Sequence, residues 1–326
     1  MSETATRQRI LTTTWILQEG DEQIDRLRAA GYEVIVRPSQ APHTEAEMID
    51  LVKGVDAVVA GSDAFGEPVL AAGTSLKIVS RAGVGFDSVD VRAATARRIA
   101  VTITPGTNHE SVADHAFGLI LALARHIPAQ DGYVRAQQWR RLVGADVYGQ
   151  TLGILGLGRI GKGVARRGRG FDMRVVAYDP VWDDAFAAQH QVQRLPVDAI
   201  FREADFLTLH LPGGAETRHI VNAERLAVMK PTAFVVNTAR GSLVDEVALY
   251  EALTTDKIAG AGLDVFDREP PWGSKLTDLP NVVLTPHVAG LSVRANAAMA
   301  KMAIENAVLV LRGERPQACV NPEVFG

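Results

Sequence analysis

The sequence predicts an α/β fold built on two parallel, doubly wound sheets, and three observations carry that expectation. From Arg9 to about Ile103, short β-like runs alternate with helical ones, the pattern of parallel strands joined by crossover helices. The apolar run Thr151–Leu155 leads directly into Gly156-Leu-Gly158-Arg-Ile-Gly161 and then into a helical pattern. In that strand–turn–helix setting, three glycines at this spacing cradle a dinucleotide pyrophosphate. The alternation then resumes after Asp179 and gives about six strands counted from Thr151, enough for a sheet with two mononucleotide halves.

In the first stretch, Ile10–Thr13, Glu33–Val36, Ala57–Ala60, Leu76–Ser80 and Ala100–Thr102 read as strands. Glu22–Ala30, Glu45–Val52, Pro68–Ala72 and Val89–Arg97 read as the helices between them. Loops that bind ligands gather at the carboxyl ends of such strands, where Ser80-Arg-Ala-Gly-Val-Gly85 either presents bare N–H groups to an anion or simply links strand to helix. Thr104-Pro-Gly-Thr-Asn-His109 is rich in breakers and marks the exit from the first domain. Ser111-x-x-Asp114 reads as a capping box that opens the apolar helix Val112–Arg125. Between Pro128 and Gly149 the pattern is less readable, and Gln138-Trp-Arg-Arg141 is either solvated surface or a substrate cluster.

Each glycine of the central loop has a physical role. Gly156 permits the tight turn out of the strand, Gly158 lets backbone approach a pyrophosphate, and Gly161 lets helix and strand pack closely. The helix that follows offers free N–H groups and a partial positive charge to phosphate. The next strand, Arg174–Tyr178, ends at Asp179, eighteen residues beyond Gly161, where a carboxylate accepts ribose hydroxyls. Pro180-Val-Trp182 follows, with no basic side chain for an extra phosphate, so NAD is expected over NADP. The strands Phe206–Leu209, Ala233–Asn237, Gly260–Asp264 and Val282–Leu284 complete the middle of the chain, and a final helix near Ser292–Arg312 with the tail Pro316–Phe325 is expected to return to the first domain.

Composition bounds the function. The 326 residues are 47% hydrophobic and 22% charged, with a net charge of −4. That balance offers no general attraction to nucleic acid or to an anionic membrane. The single Cys319 excludes an intrachain disulfide, and the polar lead Met1–Arg9 has no apolar core of a signal peptide. The longest strongly apolar stretch, Ala116–Ala124, is about half of what a bilayer span requires. A cytoplasmic location is expected. No solenoid repeat or low-complexity segment is present, and the histidine spacing suggests no metal site.

Three ionisable residues follow strand ends or the loops beside them: Arg240 after Val235–Ala239, Glu269 after Asp264–Arg268, and His287 after Leu284-Thr-Pro286. Strand ends on one sheet edge converge in space. Hydride transfer to a keto acid requires a cation for the carboxylate, a proton donor for the nascent alkoxide and a partner that orients the donor, roles suited to Arg, His and Glu. The other histidines, including His109, His115 and His210, have no comparable context.

With these motifs the chain resembles the D-isomer-specific 2-hydroxyacid dehydrogenase family, close to its phosphoglycerate dehydrogenase branch. The resemblance rests on Arg81-Ala-Gly-Val-Gly85, Thr104-Pro-Gly-Thr-Asn108, the glycine loop, Val236–Ser242, Gly262-Leu-Asp-Val-Phe266 with Glu269-Pro270, and Thr285-Pro-His287, and it covers nearly the whole chain. It implies two Rossmann-like domains, the NAD-binding domain (107–294) inserted into a flavodoxin-like substrate domain (1–106 with 295–326). It further implies NAD contacts at Gly156, Gly158, Arg159, Ile160, Gly161, Asp179, Thr217, Thr238, Ala239, Arg240, Asp264 and His287. Arg159 and Ile160 would cover the pyrophosphate, Thr238–Arg240 would line the nicotinamide side, and Asp264 would contact its carboxamide. Arg240, Glu269 and His287 would be catalytic, while Arg81 and the N–H groups near Val84 and Gly85 would bind a small anionic 2-hydroxy or 2-keto acid. Glu269 is expected to raise the His287 pKa and hold the ring.

The resemblance also implies a homodimer, with Val112–Arg125 and the arm after it as the interface. Arg81 as a second cation makes 3-phosphoglycerate the first substrate candidate. The same arginine could pair with a neighbouring acid, so hydroxypyruvate and glyoxylate stay open as substrates. So does a different class, an NAD-responsive corepressor-like binding protein. Two departures from the family pattern stand out: Asp114 where Glu is common, and His210–Thr217 in place of a Pro-Leu-Thr type sequence. With the chain ending at Gly326, serine feedback through a carboxy-terminal regulatory domain is not expected.

Overall fold

A computed structural model describes residues 7–326; the first six residues, part of the polar lead read above, lie outside the described residues. The chain divides into two compact units, Met1–Asn108 with Ser292–Gly326, and His109–Leu291.

The first unit carries β1 (Arg9–Thr14), α1 (Glu22–Ala29), β2 (Glu33–Ser39), α2 (Glu45–Leu51), β3 (Ala57–Ala60), α3 (Glu67–Ala72), β4 (Ile78–Arg81), α4 (Val91–Ala96) and β5 (Ala100–Thr102). Its strands pair in parallel in the order β2-β1-β3-β4-β5, the order of flavodoxin-like sheets. Leu11, Val58, Val79 and Val101 are buried in one core, and Ile10, Ala57, Val59, Ile78 and Ala100 in another. Burial on both faces explains why these strands read as continuous apolar runs. Local chemistry marks the helix starts: Thr44 and Glu47 form a capping box at α2, and Asp90 accepts the Ala93 N–H at α4.

The second unit comprises α5 (His109–Ala124), α6 (Ile127–Arg135), β6 (Thr151–Leu155), α7 (Arg159–Gly170), β7 (Arg174–Tyr178), α8 (Asp184–His190), β8 (Val192–Arg194), α9 (Val197–Glu203), β9 (Phe206–Leu209), α10 (Ala223–Ala227), β10 (Phe234–Asn237), α11 (Glu246–Thr254), β11 (Gly260–Leu263) and β12 (Val282–Leu284). All its strands are parallel, in the order β12-β11-β10-β9-β6-β7-β8. This is the Rossmann order with one strand added, and the direction of winding reverses between β6 and β9. The last helix, α12 (Val293–Leu311), belongs to the first unit and is capped by Ser292. It buries Ala300, Ala303, Ala307 and Leu311 against that unit's sheet, where the Ser80 hydroxyl donates 2.8 Å to the Ala303 carbonyl.

Three elements go beyond the sequence expectation, and the second sheet has seven strands rather than six. Strand β8 is three residues long with only Val192 buried, and α6 buries none of its residues. Neither leaves an apolar periodicity to read. The short helix α8 likewise buries only Ala187. The capping box placed at Ser111 is a correction: α5 starts at His109, so Ser111 lies inside its first turn. Asp114 is no cap; its Oδ1 accepts from Arg167 Nε at 2.8 Å and Nη2 at 2.5 Å, tying α5 to α7. No described helix is long and apolar enough to cross a membrane.

Candidate active site

The site grows from the carboxyl edge of the seven-stranded sheet. Gly156 leaves β6 at φ +97°, and a Cβ there would lie 2.6 Å from the His210 carbonyl carbon. Only glycine tolerates both the left-handed backbone and that approach. At Gly161 a Cβ would run into the Gly156 carbonyl, whereas at Gly158 nothing lies within 4 Å of one. The loop therefore closes tightly on its own helix and stays open on one side. Arg159 is exposed and Ile160 half-buried at the start of α7.

Asp179, at the end of β7, accepts the Leu157 N–H at 2.7 Å and the Val181 N–H at 2.8 Å. One carboxylate thus holds the glycine loop against the neighbouring strand end. His210, at the end of β9, contacts Thr208 Oγ1 through Nε2 at 2.9 Å, and burial pushes its pKa down to about 3, so the ring is neutral. Two buried atoms near these strand ends, His210 Nδ1 and Thr238 Oγ1, have no hydrogen-bond partner. Thr217 is turned inward to its own loop, donating 2.7 Å to the Pro212 carbonyl.

Beyond β10 the buried Asn237 staples the next turn: its Nδ2 donates 2.8 Å to the Arg240 carbonyl and its Oδ1 accepts the Ala239 N–H at 3.0 Å. Arg240 Nη1 donates to the Ala239 carbonyl at 2.7 Å. Gly241 presses directly on the backbone of Phe266 and Asp267, leaving no room for a Cβ. The turn bearing Arg240 and the loop bearing Glu269 are thereby packed backbone to backbone.

Glu269 uses both carboxylate oxygens. Oε1 accepts the Phe266 N–H at 3.1 Å and Oε2 lies 2.7 Å from His287 Nδ1. The hydrogen bond to Glu269 raises the His287 pKa; burial opposes it, the Glu269 and Asp264 charges reinforce it, and Arg240 counteracts it. For Glu269 burial favours the neutral form, but the His287 hydrogen bond and charge, the Phe266 N–H and Arg240 outweigh it and hold the pKa low. Arg240, Glu269 and His287 thus share one electrostatic neighbourhood. The His287 side chain is 54% exposed, while its Nδ1 is held by Glu269.

His287 itself has φ +54°, a left-handed conformation. It is held there by Asp264, whose carbonyl accepts the His287 N–H at 2.8 Å. The buried Asp264 carboxylate accepts the Val288 N–H on Oδ1 and the Ala289 N–H on Oδ2, both at 2.8 Å. Sequence reading gave His115 no context, yet its Nε2 lies 2.9 Å from Thr285 Oγ1, which reaches Asp264 Oδ1 at 2.6 Å. Asn237 and Thr285 lie within recognised motifs but were not singled out. Asn237 bonds within its own turn, two and three residues on, whereas the partners of Thr285, which are His115 and Asp264, lie on other elements, for which no local signal exists.

Arg81, Val84 and Gly85 lie in the first unit, after β4. Arg81 Nε donates to the Gly85 carbonyl at 3.3 Å and Nη1 to the Asp63 carbonyl at 3.4 Å, while the Thr104 N–H donates to Gly83 at 2.9 Å. The turn is braced by its own arginine and by its bonds to Asp63 and Thr104, and leaves Val84 exposed.

The model of the D-isomer specific 2-hydroxyacid dehydrogenase NAD binding domain matches residues 117–289. A glyoxylate reductase of Korarchaeum cryptofilum is 42% identical over 324 residues, covering 97% of this chain and 96% of that protein. A D-3-phosphoglycerate dehydrogenase of Synechocystis is 42% identical over 281 residues, covering 85% of this chain and 51% of that one. The solved NADPH-dependent glyoxylate/hydroxypyruvate reductase of Sinorhizobium meliloti has a TM-score of 0.82 at 32% identity, covering 98% of each chain. Family model, near full-length relatives and the shared two-sheet architecture converge: the chain belongs to the D-isomer specific 2-hydroxyacid dehydrogenase family and is an oxidoreductase acting on a CH–OH group.

Proposed function

We propose that this enzyme reduces a small 2-keto acid with NADH and runs the reverse oxidation of the D-2-hydroxy acid with NAD. The observation that carries this reading is the His287–Glu269 pair, 2.7 Å apart, beside the Arg240 turn on one sheet edge. The unit His109–Leu291 holds the cofactor, and the N–H groups near Val84 and Gly85 make an anion-binding turn within the first unit.

The chain fits a dinucleotide: an open glycine loop at Gly158, a carboxylate at the end of β7, and two orphaned buried atoms, Thr238 Oγ1 and His210 Nδ1. Gly156, Gly158 and Gly161 with Arg159 and Ile160 hold the pyrophosphate, Asp179 the ribose, and Thr238 to Arg240 the nicotinamide side. The bound nicotinamide supplies or accepts the hydride. Arg240 pairs with the substrate carboxylate and polarises its carbonyl. His287 Nε2 gives a proton to the nascent alkoxide in reduction and takes it back in oxidation, while Glu269 steadies the cationic ring.

Glyoxylate or hydroxypyruvate is favoured as substrate, because the Arg81 guanidinium braces the Gly85 carbonyl of its own turn and the Asp63 carbonyl after β3. The second reading, 3-phosphoglycerate with Arg81 facing the phosphate, draws support from the Synechocystis relative. NADH absorbance with glyoxylate, hydroxypyruvate, phosphohydroxypyruvate, pyruvate and 2-ketoglutarate separates them. The unphosphorylated two- and three-carbon acids are expected to lead; a strong preference for phosphohydroxypyruvate selects the second reading. Repeating the series with NADPH tests the cofactor, since the Asp179 carboxylate repels a 2′-phosphate. Equal use of both cofactors would sink the NAD assignment.

The pH dependence follows from the two shifts. Reduction needs protonated His287, so its kcat/KM holds below the raised His287 pKa and falls as pH rises through it; oxidation gains over the same interval. On the acid side reduction is sustained until pH falls through the lowered Glu269 pKa. Glu269→Gln removes the partner charge, so the alkaline limb of reduction moves to lower pH. An unmoved limb would deny Glu269 this role.

We also infer a homodimer formed through α5 and the arm after it. Val134, Trp139, Val143 and Tyr148 are 61%, 83%, 95% and 72% exposed, an apolar series that begins on α6, which buries none of its residues. Light scattering at micromolar concentration should give twice the chain mass; a monomer would remove this inference.

A further inference from the structure

Beneath the His287 turn, three side chains from three different elements form a connected chain that the proposed chemistry does not use. His115 on α5 meets Thr285, just past β12, through Nε2 at 2.9 Å. The Thr285 hydroxyl donates 2.6 Å to Asp264 Oδ1, just past β11. A hydroxyl has one hydrogen, so with it committed to Asp264 the His115 Nε2–H is the donor in the first contact. The Asp264 carboxylate then accepts the Val288 and Ala289 N–H groups, and its carbonyl accepts that of His287.

Three successive N–H groups therefore converge on one residue, directly at the position with φ +54°. A side-chain-bearing residue keeps a left-handed conformation only where its surroundings over-determine it. We propose that His115, acting through Thr285, sets the orientation of the Asp264 carboxylate that aims the His287 ring, making His115 and Thr285 positioning residues. This rests on the reading of His287 as the proton donor. Both Asp264 oxygens accept from the turn, so the carboxylate braces the histidine loop. Without the Thr285 hydroxyl the carboxylate is free to rotate, its bonds to residues 288 and 289 weaken, and the ring leaves the line set by Glu269.

The test compares Thr285→Val and His115→Leu, which break the chain, with Thr285→Ser and His115→Gln, which keep a hydroxyl and an N–H donor. His287→Ala serves as reference. With glyoxylate or hydroxypyruvate, whichever turns over faster, Thr285→Val and His115→Leu should lower kcat about 10- to 100-fold, the cost of a small misplacement of a reacting group. The NADH Kd, from fluorescence titration, should stay within about twofold, and Ser and Gln should restore most of kcat. Wild-type kcat in the breaking variants, or a loss that Ser and Gln do not restore, would overturn the proposal. A rise in NADH Kd at unchanged kcat would also overturn it, by assigning Asp264 to the cofactor. Near wild-type turnover in His287→Ala would instead overturn the reading of His287 on which the proposal rests, and only that variant reports on it.

Discussion

Replacing His287 by alanine is expected to lower kcat by about 10²- to 10⁴-fold, the range supplied by a positioned general acid, while NADH still binds. The ring's pKa is raised by Glu269, and its Nδ1 is already committed to Glu269 at 2.7 Å, as the proposed donor role requires. Alanine leaves Glu269 with its Phe266 N–H bond but without the imidazolium that stabilises its charge. Glu269 should therefore titrate higher in the variant. The measurement is single-turnover NADH oxidation alongside NADH fluorescence. An NADH-responsive binding protein would show unchanged ligand binding and no turnover to lose, whereas a dehydrogenase loses turnover alone. Near wild-type rates in His287→Ala would remove this residue from the mechanism.

Gly241→Ala should be comparably damaging through backbone packing alone. A Cβ at Gly241 would overlap the Phe266 carbonyl and the Asp267 nitrogen, main-chain atoms that cannot swing aside as a side chain can. Relief requires the two loops to part, and they carry Arg240 one residue before the contact and Glu269 two residues after it. Because a small displacement of a reacting group is costly, kcat/KM should fall about 100-fold, and overpacking of about 1–3 kcal/mol should lower the thermal midpoint. Gly170→Ala at the end of α7, where a Cβ meets nothing within 4 Å, is the control and should behave like the parent. An unaltered kcat/KM in Gly241→Ala would show that the two loops do not depend on their contact.

Legibility in the sequence tracked the range of the interaction. The glycine loop announced itself because its constraints, a left-handed Gly156 and a Gly161 without space for a Cβ, arise within six residues. The strands showed because burial on both faces leaves apolar runs, as in Val235-Val236 and Val58-Val59. Helix α6 gave no such sign, since it buries nothing within this chain, and β8 is too short and too exposed. Asp114 misled because a capping box is a pattern of residue types, while the actual helix start at His109 was set by the preceding turn. The triad residues were recognisable as types placed after strand ends, in the order shared by a family.

By itself, the sequence determined the class of the fold, the dinucleotide loop and the identities of the groups suited to proton transfer and anion binding. Those properties follow from local periodicity, glycine stereochemistry and side-chain chemistry. Only the tertiary structure decided which groups touch: that Glu269 takes His287 Nδ1, that Asp179 holds Leu157, that Arg81 turns back on Gly85, and that His115 reaches Thr285 across 170 positions. Hydrogen bonds and pKa shifts depend on distances of a few ångströms, and those distances are set by how helices and strands pack, which a linear pattern does not encode.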